Sequence, residues 1–182
     1  MALSASRAVL IAATCLALAP WTGAAPPPAR AVQGMVSKVT DGDSLWLTPA
    51  DGKPIEVRLR DIDAPEICQP WGEDARKALA ELALNKVATL QISGRDSYGR
   101  AVGALLIEDL NVSRYMVENG HAWSVRTRHD QGPLVKQERM ARALARGLHG
   151  SPGAMQPKDF RQTHGRCQAV SVAPAAPAAP KR

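Results

Sequence analysis

Ile55-Glu56-Val57-Arg58-Leu59-Arg60-Asp61-Ile62-Asp63-Ala64-Pro65 alternates apolar and charged side chains before it reaches a proline. Ile55, Val57 and Leu59 fall on one face and Glu56, Arg58 and Arg60 on the other. That period of two predicts a half-buried strand. Pro65 cannot donate to a ladder and stops it. Upstream, residues 32–39 are rich in β-branched side chains and end at Asp41-Gly42, a dipeptide that favours hairpins. Residues 44–48 resume with Leu45 and Leu47 sharing a face, and Ala50-Asp51-Gly52 makes the second turn. Downstream the period changes. From Gly72, the residues Ala75, Ala78, Leu79 and Leu82 follow helical spacing, with Glu73 and Asp74 placed where negative charge suits a helix N-terminus. Residues 87–92 and 101–107 read as strands around the loop Ser93-Gly94-Arg95-Asp96-Ser97-Tyr98-Gly99-Arg100. Asn111 caps a short helix carrying Val112, Met116 and Val117, and Gly120 ends it. A last helix is expected from about Leu134 to Leu144, finishing near Gly147.

The order is three strands, a helix, two strands and two helices. Five strands in meander and Greek-key order predict a mainly β fold with α: a five-stranded barrel of the OB type with about three helices. An open α+β sheet is the alternative that the pattern leaves standing.

Both ends of the 182-residue chain differ from this middle. Residues 8–19 are an apolar run preceded by Arg7 and closed by Pro20 and Trp21, with small residues following. A spanning helix needs about 20 apolar residues, so residues 1–31 read as a cleaved export signal and no stable membrane anchor is expected. Cys15 follows Thr14, where a lipid attachment site calls for a smaller residue. The product would be secreted or periplasmic. Residues 168–182 are rich in Ala and Pro and have little to bury, so an extended or disordered tail is expected. One domain remains, residues 32–167, long enough to bury a core. Losing Arg7 and Arg30 with the signal, and no acid, lowers the formal charge from +6 to +4. A basic surface suits a polyanion without identifying one. Cys68 and Cys167 remain after cleavage; they can stay free thiols or form one disulfide worth about 2–4 kcal/mol in an oxidising compartment.

Acidic residues cluster at the strand turns: Asp41, Asp43, Asp61, Asp63 and Glu66. Carboxylates from two turns plus a backbone carbonyl suit a hard cation such as calcium, and Mg²⁺ or Mn²⁺ uses the same ligand types. The histidines at 121, 129, 149 and 164 show no zinc spacing. Taken singly, an acid at a loop tip is commonly just solvated, because turn geometry favours Asp. Arg58 and Arg100 lie on the same segments, and guanidinium groups grip phosphate oxygens bidentately while staying charged. An arginine beside acids is also commonly a surface ion pair. Spacing alone does not choose Arg58 over Arg60, or Asp43 over Asp41.

Three segments in register change the reading. Val39-Thr40-Asp41-Gly42-Asp43-Ser44, Val57 through Glu66, and Asp96-Ser97-Tyr98-Gly99-Arg100 together resemble the thermonuclease family of staphylococcal-nuclease-like proteins. The likeness covers roughly residues 35–161, with support from Asn111-Val112, Met116-Val117, Gly120, Ala141-Arg142 and Arg146-Gly147-Leu148. The resemblance implies an OB-fold barrel that binds one Ca²⁺ and hydrolyses phosphodiesters of DNA and RNA, leaving 3′-phosphate ends, and a monomer by family precedent. It implies Asp43 and Asp63 as metal carboxylates with the Ala64 carbonyl as a third ligand. Arg58 and Arg100 would clamp the scissile phosphate, and Glu66 would be the base that takes the water proton.

Departures from the pattern bear on substrate contacts. Ser44 and Ala64 stand where the family often has Thr. Ser124-Val125-Arg126-Thr127-Arg128 stands where family members carry tyrosines that pack on the nucleotide, and His149 where an aromatic is common. Tyr98, Arg126 and Arg128 are therefore the candidate substrate-binding residues, the arginines holding phosphate or stacking on a base. The competing reading is a non-catalytic OB-fold module that binds nucleic acid. Such a module has no need of Asp43, Asp63 and Glu66 together with both arginines.

Overall fold

The five long strands predicted from side-chain alternation are present and close on themselves. β1 (Arg30–Val39), β2 (Ser44–Thr48) and β3 (Ile55–Leu59) form an antiparallel meander. The short β4 (Ile62–Asp63) precedes α1 (Gly72–Ala83), after which β5 (Val87–Arg95) pairs with β1 and β6 (Ala101–Ile107) pairs with β5. A parallel pairing of β3 with β6, through Val57↔Ala101, Arg58↔Val102 and Leu59↔Gly103, seals the ring. The result is a closed five-stranded barrel with four helices, of the OB-like β-with-α class. This computed structural model describes residues 30–127, 129–165 and 167. The expected export signal, almost all of which precedes residue 30, the tail at 168–182 and Arg128 lie outside the described residues.

Barrel closure follows from which side chains are apolar. Val36, Leu45, Leu47, Val57, Leu59, Leu90 and Leu105 are buried and come from all five strands. The remaining elements cover the barrel. β7 (Leu110–Asn111) leads into α2 (Val112–Glu118), whose first turn is capped by the Asn111 side chain accepting from the Arg114 N–H at 3.0 Å. Met116 and Val117 of α2 enter the core. β8 (Trp123–Ser124) pairs with β4, opposite Ile62 and Asp63. α3 (Val135–Ala143) and a 3-10 turn (Gly147–Gly150) follow. No helix among the described residues is long and apolar enough to cross a membrane.

α4 (Pro157–His164) is a helix beyond the three that sequence periodicity gave. It is only eight residues long and sinks one large apolar side chain, Phe160, so it has no amphipathic stripe to read. Pro157 in its first turn with Asp159 beside it was the available signal. The Cys68–Cys167 disulfide, with Cα atoms 5.7 Å apart, ties the segment after α4 to the loop before α1.

Two glycines hold the turns near that loop because nothing larger fits. A Cβ on Gly42 would stand 2.7 Å from the Cβ atoms of Ala64 and Ala75. One on Gly72 would lie 2.0 Å from the Glu66 carbonyl oxygen. The α1 N-terminus therefore presses directly on the Glu66 turn.

His149, in the 3-10 turn, meets the Trp123 ring edge-on, and its Nε2 is buried with no hydrogen-bond partner. Burial pushes its pKa below the ordinary value of 6.5; the Arg142 and Arg126 charges add to this and Glu138 opposes it. The folded state thus favours the neutral ring. Its contribution to stability is fully present above 6.5 and is lost as pH falls below that value. The Tm advantage of wild type over His149→Phe should therefore shrink on acidification. An advantage constant from neutral to mildly acidic pH would show that the ring does not titrate with folding.

Candidate active site

Strand register brings the distant acids and arginines to one wall. Ser44 pairs with Arg58 across β2 and β3, which sets Asp43 beside the Arg58 side chain. The parallel seam sets Ala101 beside Val57, so Arg100 enters at the same level. Val57 and Leu59 point into the barrel and are buried, while Glu56 and Arg58 face outward. There a cavity of about 610 Å³ is lined by Arg58, Glu66, Tyr98 and Arg100, with Asp41, Glu56, Asp96 and Arg161 completing the wall.

Arg58 is the centre of the polar network. Its Nη1 lies 2.6 Å from Asp43 Oδ1 and its Nη2 donates to Asp63 Oδ1 at 2.8 Å. Asp43 is only 2% exposed. Its Oδ2 accepts the Ala64 N–H at 2.8 Å and its Oδ1 accepts the Ser44 hydroxyl at 3.0 Å. The same hydroxyl accepts from Arg100 Nη1 at 3.3 Å, linking the two arginines through Ser44 and Asp43. Arg100 is held in turn by Asp96 Oδ2 at 2.7 Å and lies 5.5 Å from the centre of the Tyr98 ring.

The alternatives left open by spacing are separated by direction. Arg60 turns away to pair with Asp61 at 3.0 Å and does not line the cavity. Asp41 lines it, but its carboxylate is spent on its own turn, accepting the Asp43 N–H at 3.0 Å.

Residues 56–149 match the family model described as staphylococcal nuclease homologue. The chain belongs to that family. Two probable staphylococcal-like nucleases of Oryza sativa subsp. japonica are each 36% identical over 118 residues, 64% of this chain but 32% and 31% of theirs. The chain thus spans about a third of the length of those relatives. An uncharacterized endonuclease of Haemophilus influenzae is 34% identical over 128 residues, 70% of this chain and 71% of its own. A micrococcal nuclease of Shigella flexneri is 30% identical over 173 residues, 88% of this chain and 94% of its own.

In this nuclease homologue the two candidate metal carboxylates meet at a guanidinium, that of Arg58. Burial raises the Asp43 pKa well above the ordinary carboxylate value, and repulsion from Asp41 and Asp63 adds to it; Arg58 and the Ala64 N–H oppose. Burial also raises Asp63, with Glu66 adding and with Arg58 and Arg161 opposing. For Arg58, burial acts to lower the pKa, yet Asp43 and Asp63 outweigh it and the net direction is up. Among the described residues Arg58 pairs with both Asp43 and Asp63, and Arg161 pairs with Glu66 and lies 3.8 Å from Asp63.

The staphylococcal nuclease family is generally metal-dependent. Hard oxygen donors gathered from two turns fit a divalent cation. Among the described residues no three His, Cys, Asp or Glu side chains gather as a closed site. A cation here needs a carbonyl, water and substrate oxygens to complete its shell, which calcium tolerates.

Arg161 was not legible as a site residue. It reaches in from α4, placing Nη1 2.5 Å from Glu66 Oε1 and Nη2 3.8 Å from Asp63 Oδ2. Arg126 stands elsewhere. It bonds the carboxylate of Glu138, which is fully buried and also takes Arg142 and the Ser124 N–H, and it is absent from the cavity wall.

Proposed function

We propose that this chain is an exported, calcium-dependent nuclease that hydrolyses phosphodiester bonds of DNA or RNA and leaves 3′-phosphate ends. The observation that carries the reading is that Arg58, Arg100 and Glu66 line one cavity and that Arg58 also pairs with the buried Asp43 and the half-buried Asp63. Export is supported by the apolar N-terminal run and by a disulfide, a bond that persists in oxidising compartments.

Arg58 and Arg100 offer two guanidinium forks to the non-bridging oxygens of one phosphate and offset the charge that grows on them during attack. Glu66 stands on the same cavity and takes the proton of the attacking water. The new P–O bond forms as the bond to the 5′ oxygen breaks, and that oxygen leaves with the electron pair and picks up a proton. Asp43 and Asp63, with the Ala64 carbonyl, would hold the calcium ion, which supplies polarisation of a phosphoryl oxygen and orientation of the water. Tyr98, whose ring centre is 5.5 Å from the Arg100 guanidinium, would stack on a nucleotide held at Arg100.

The deciding experiment is digestion of plasmid DNA and of RNA by the chain without its first 31 residues. Cutting should appear with about millimolar Ca²⁺, be weak with Mg²⁺, whose octahedral demand the loose donor set meets poorly, and vanish with chelator. Cutting at full rate in chelator would overturn the metal requirement. Binding without cutting under Ca²⁺, Mg²⁺ and Mn²⁺ would leave the non-catalytic OB module as the reading.

A further inference from the structure

The backbone of Glu66 and its side chain are fixed by different parts of the chain. Its N–H donates to Gln69 Oε1 at 3.2 Å, its carbonyl accepts the Gln69 N–H at 2.8 Å, and Gly72 presses on that carbonyl. These contacts are local and leave the three side-chain torsions free. Among the described residues, the one hydrogen-bond donor to the Glu66 carboxylate is Arg161, 95 positions away on α4.

α4 is itself fastened at the Glu66 turn. Gln69 donates from Nε2 to the Met155 carbonyl just before the helix, at 2.5 Å, and Phe160 is buried beneath it. The disulfide joins Cys68, two residues after Glu66, to Cys167, six residues after Arg161. The covalent link therefore sits beside both members of the Glu66–Arg161 pair.

We propose that Arg161 is a positioning residue for Glu66, and that the Cys68–Cys167 bond serves this role by strapping α4 against the Glu66 turn. The inference rests on the nuclease reading above and deepens it. Arg161 holds Oε1, so the carboxylate keeps one orientation toward the cavity, and the second oxygen is left for the water. Without that hold Glu66 samples several rotamers, and displacement of a base by about 1 Å can cost up to 10²-fold in rate.

The test is a set of double-mutant cycles on the full domain with calcium and plasmid DNA. Arg161→Ala should lower kcat about 10- to 100-fold with KM nearly constant. Arg161→Lys, which still donates to Oε1, should recover most of it. Arg161→Ala should cost nothing further in a Glu66→Gln background, which a merely structural role would not produce. Cys68→Ser with Cys167→Ser should lower kcat in wild type and have little effect in Arg161→Ala. If Arg161→Ala folds poorly by circular dichroism, Arg161→Gln, uncharged and two bonds shorter but still packing its stem, takes its place.

A loss carried by KM would make Arg161 a substrate contact and overturn the proposal. So would unchanged turnover, or equal cysteine effects in both backgrounds. Wild type that cuts nothing with Ca²⁺, Mg²⁺ or Mn²⁺ fails the nuclease reading and takes this inference with it. Wild type that cuts while Arg161→Ala cuts equally well fails this inference alone.

Discussion

Arg58→Lys should lower kcat/KM by about 10²-fold or more and also destabilise the fold, whereas Arg100→Lys should match the first loss without the second. The difference lies in what each guanidinium answers. Arg58 spans two carboxylates with its two terminal nitrogens, and one of those carboxylates, Asp43, is almost wholly buried. A lysine ammonium is a point charge on a flexible stem and cannot bridge both. Breaking one side of a buried pair typically costs about 3 kcal/mol or more. Here the cost is softened because burial already favours a proton on Asp43. Arg100 instead pairs with a single carboxylate, the half-buried Asp96, and its loss strands no fully buried charge. Initial rates and urea unfolding on the same preparations check both halves. Full turnover in Arg58→Lys, or equal destabilisation by the two substitutions, would remove the roles assigned to them.

Glu66→Gln should lower kcat by about 10²- to 10⁴-fold, the range expected for loss of a general base, while KM stays close to wild type. Glutamine keeps the shape of the side chain and keeps an Oε1 acceptor for Arg161, so the substitution removes basicity and little else. The two clamping arginines remain, and with them the grip on phosphate. Steady-state kinetics alongside a binding titration in chelator separates the two effects. Near-wild-type turnover would take Glu66 out of the mechanism.

The contrast between Arg58 and Arg161 shows how far residue pattern reaches. Arg58 could be narrowed to two candidates because a strand alternates faces and its neighbours in sequence carry the acids. Spacing could not choose it over Arg60, which alternation puts on the same face; the structure separates them because the strand ends at Leu59 and Arg60 pairs with Asp61. The five long strands and the first three helices were legible because each carries its own periodic apolar residues. α4 has one, Phe160, and is held by a disulfide and by contacts with a turn some 90 residues away, none of which leaves a local trace. Arg126 failed to enter the cavity for a related reason. Its environment is set by Glu138, a carboxylate buried on a helix whose sequence gives no sign that the side chain points inward. Asp43 and Asp63 were singled out by resemblance and not by spacing, and nothing in the sequence said that Arg58 lies between them.

The parallel seam between β3 and β6 has a consequence for how the molecule comes into being. Arg58 and Arg100 sit on either side of it, more than 40 positions apart in the chain, and meet only when Val57 pairs with Ala101. Closing so long a loop is entropically slow compared with forming a local hairpin. A chain in which the meander and helices have formed but the seam is still open holds every functional side chain, yet its two arginines do not share a phosphate site. On the mechanism proposed above, competence to cut therefore waits for the seam to close.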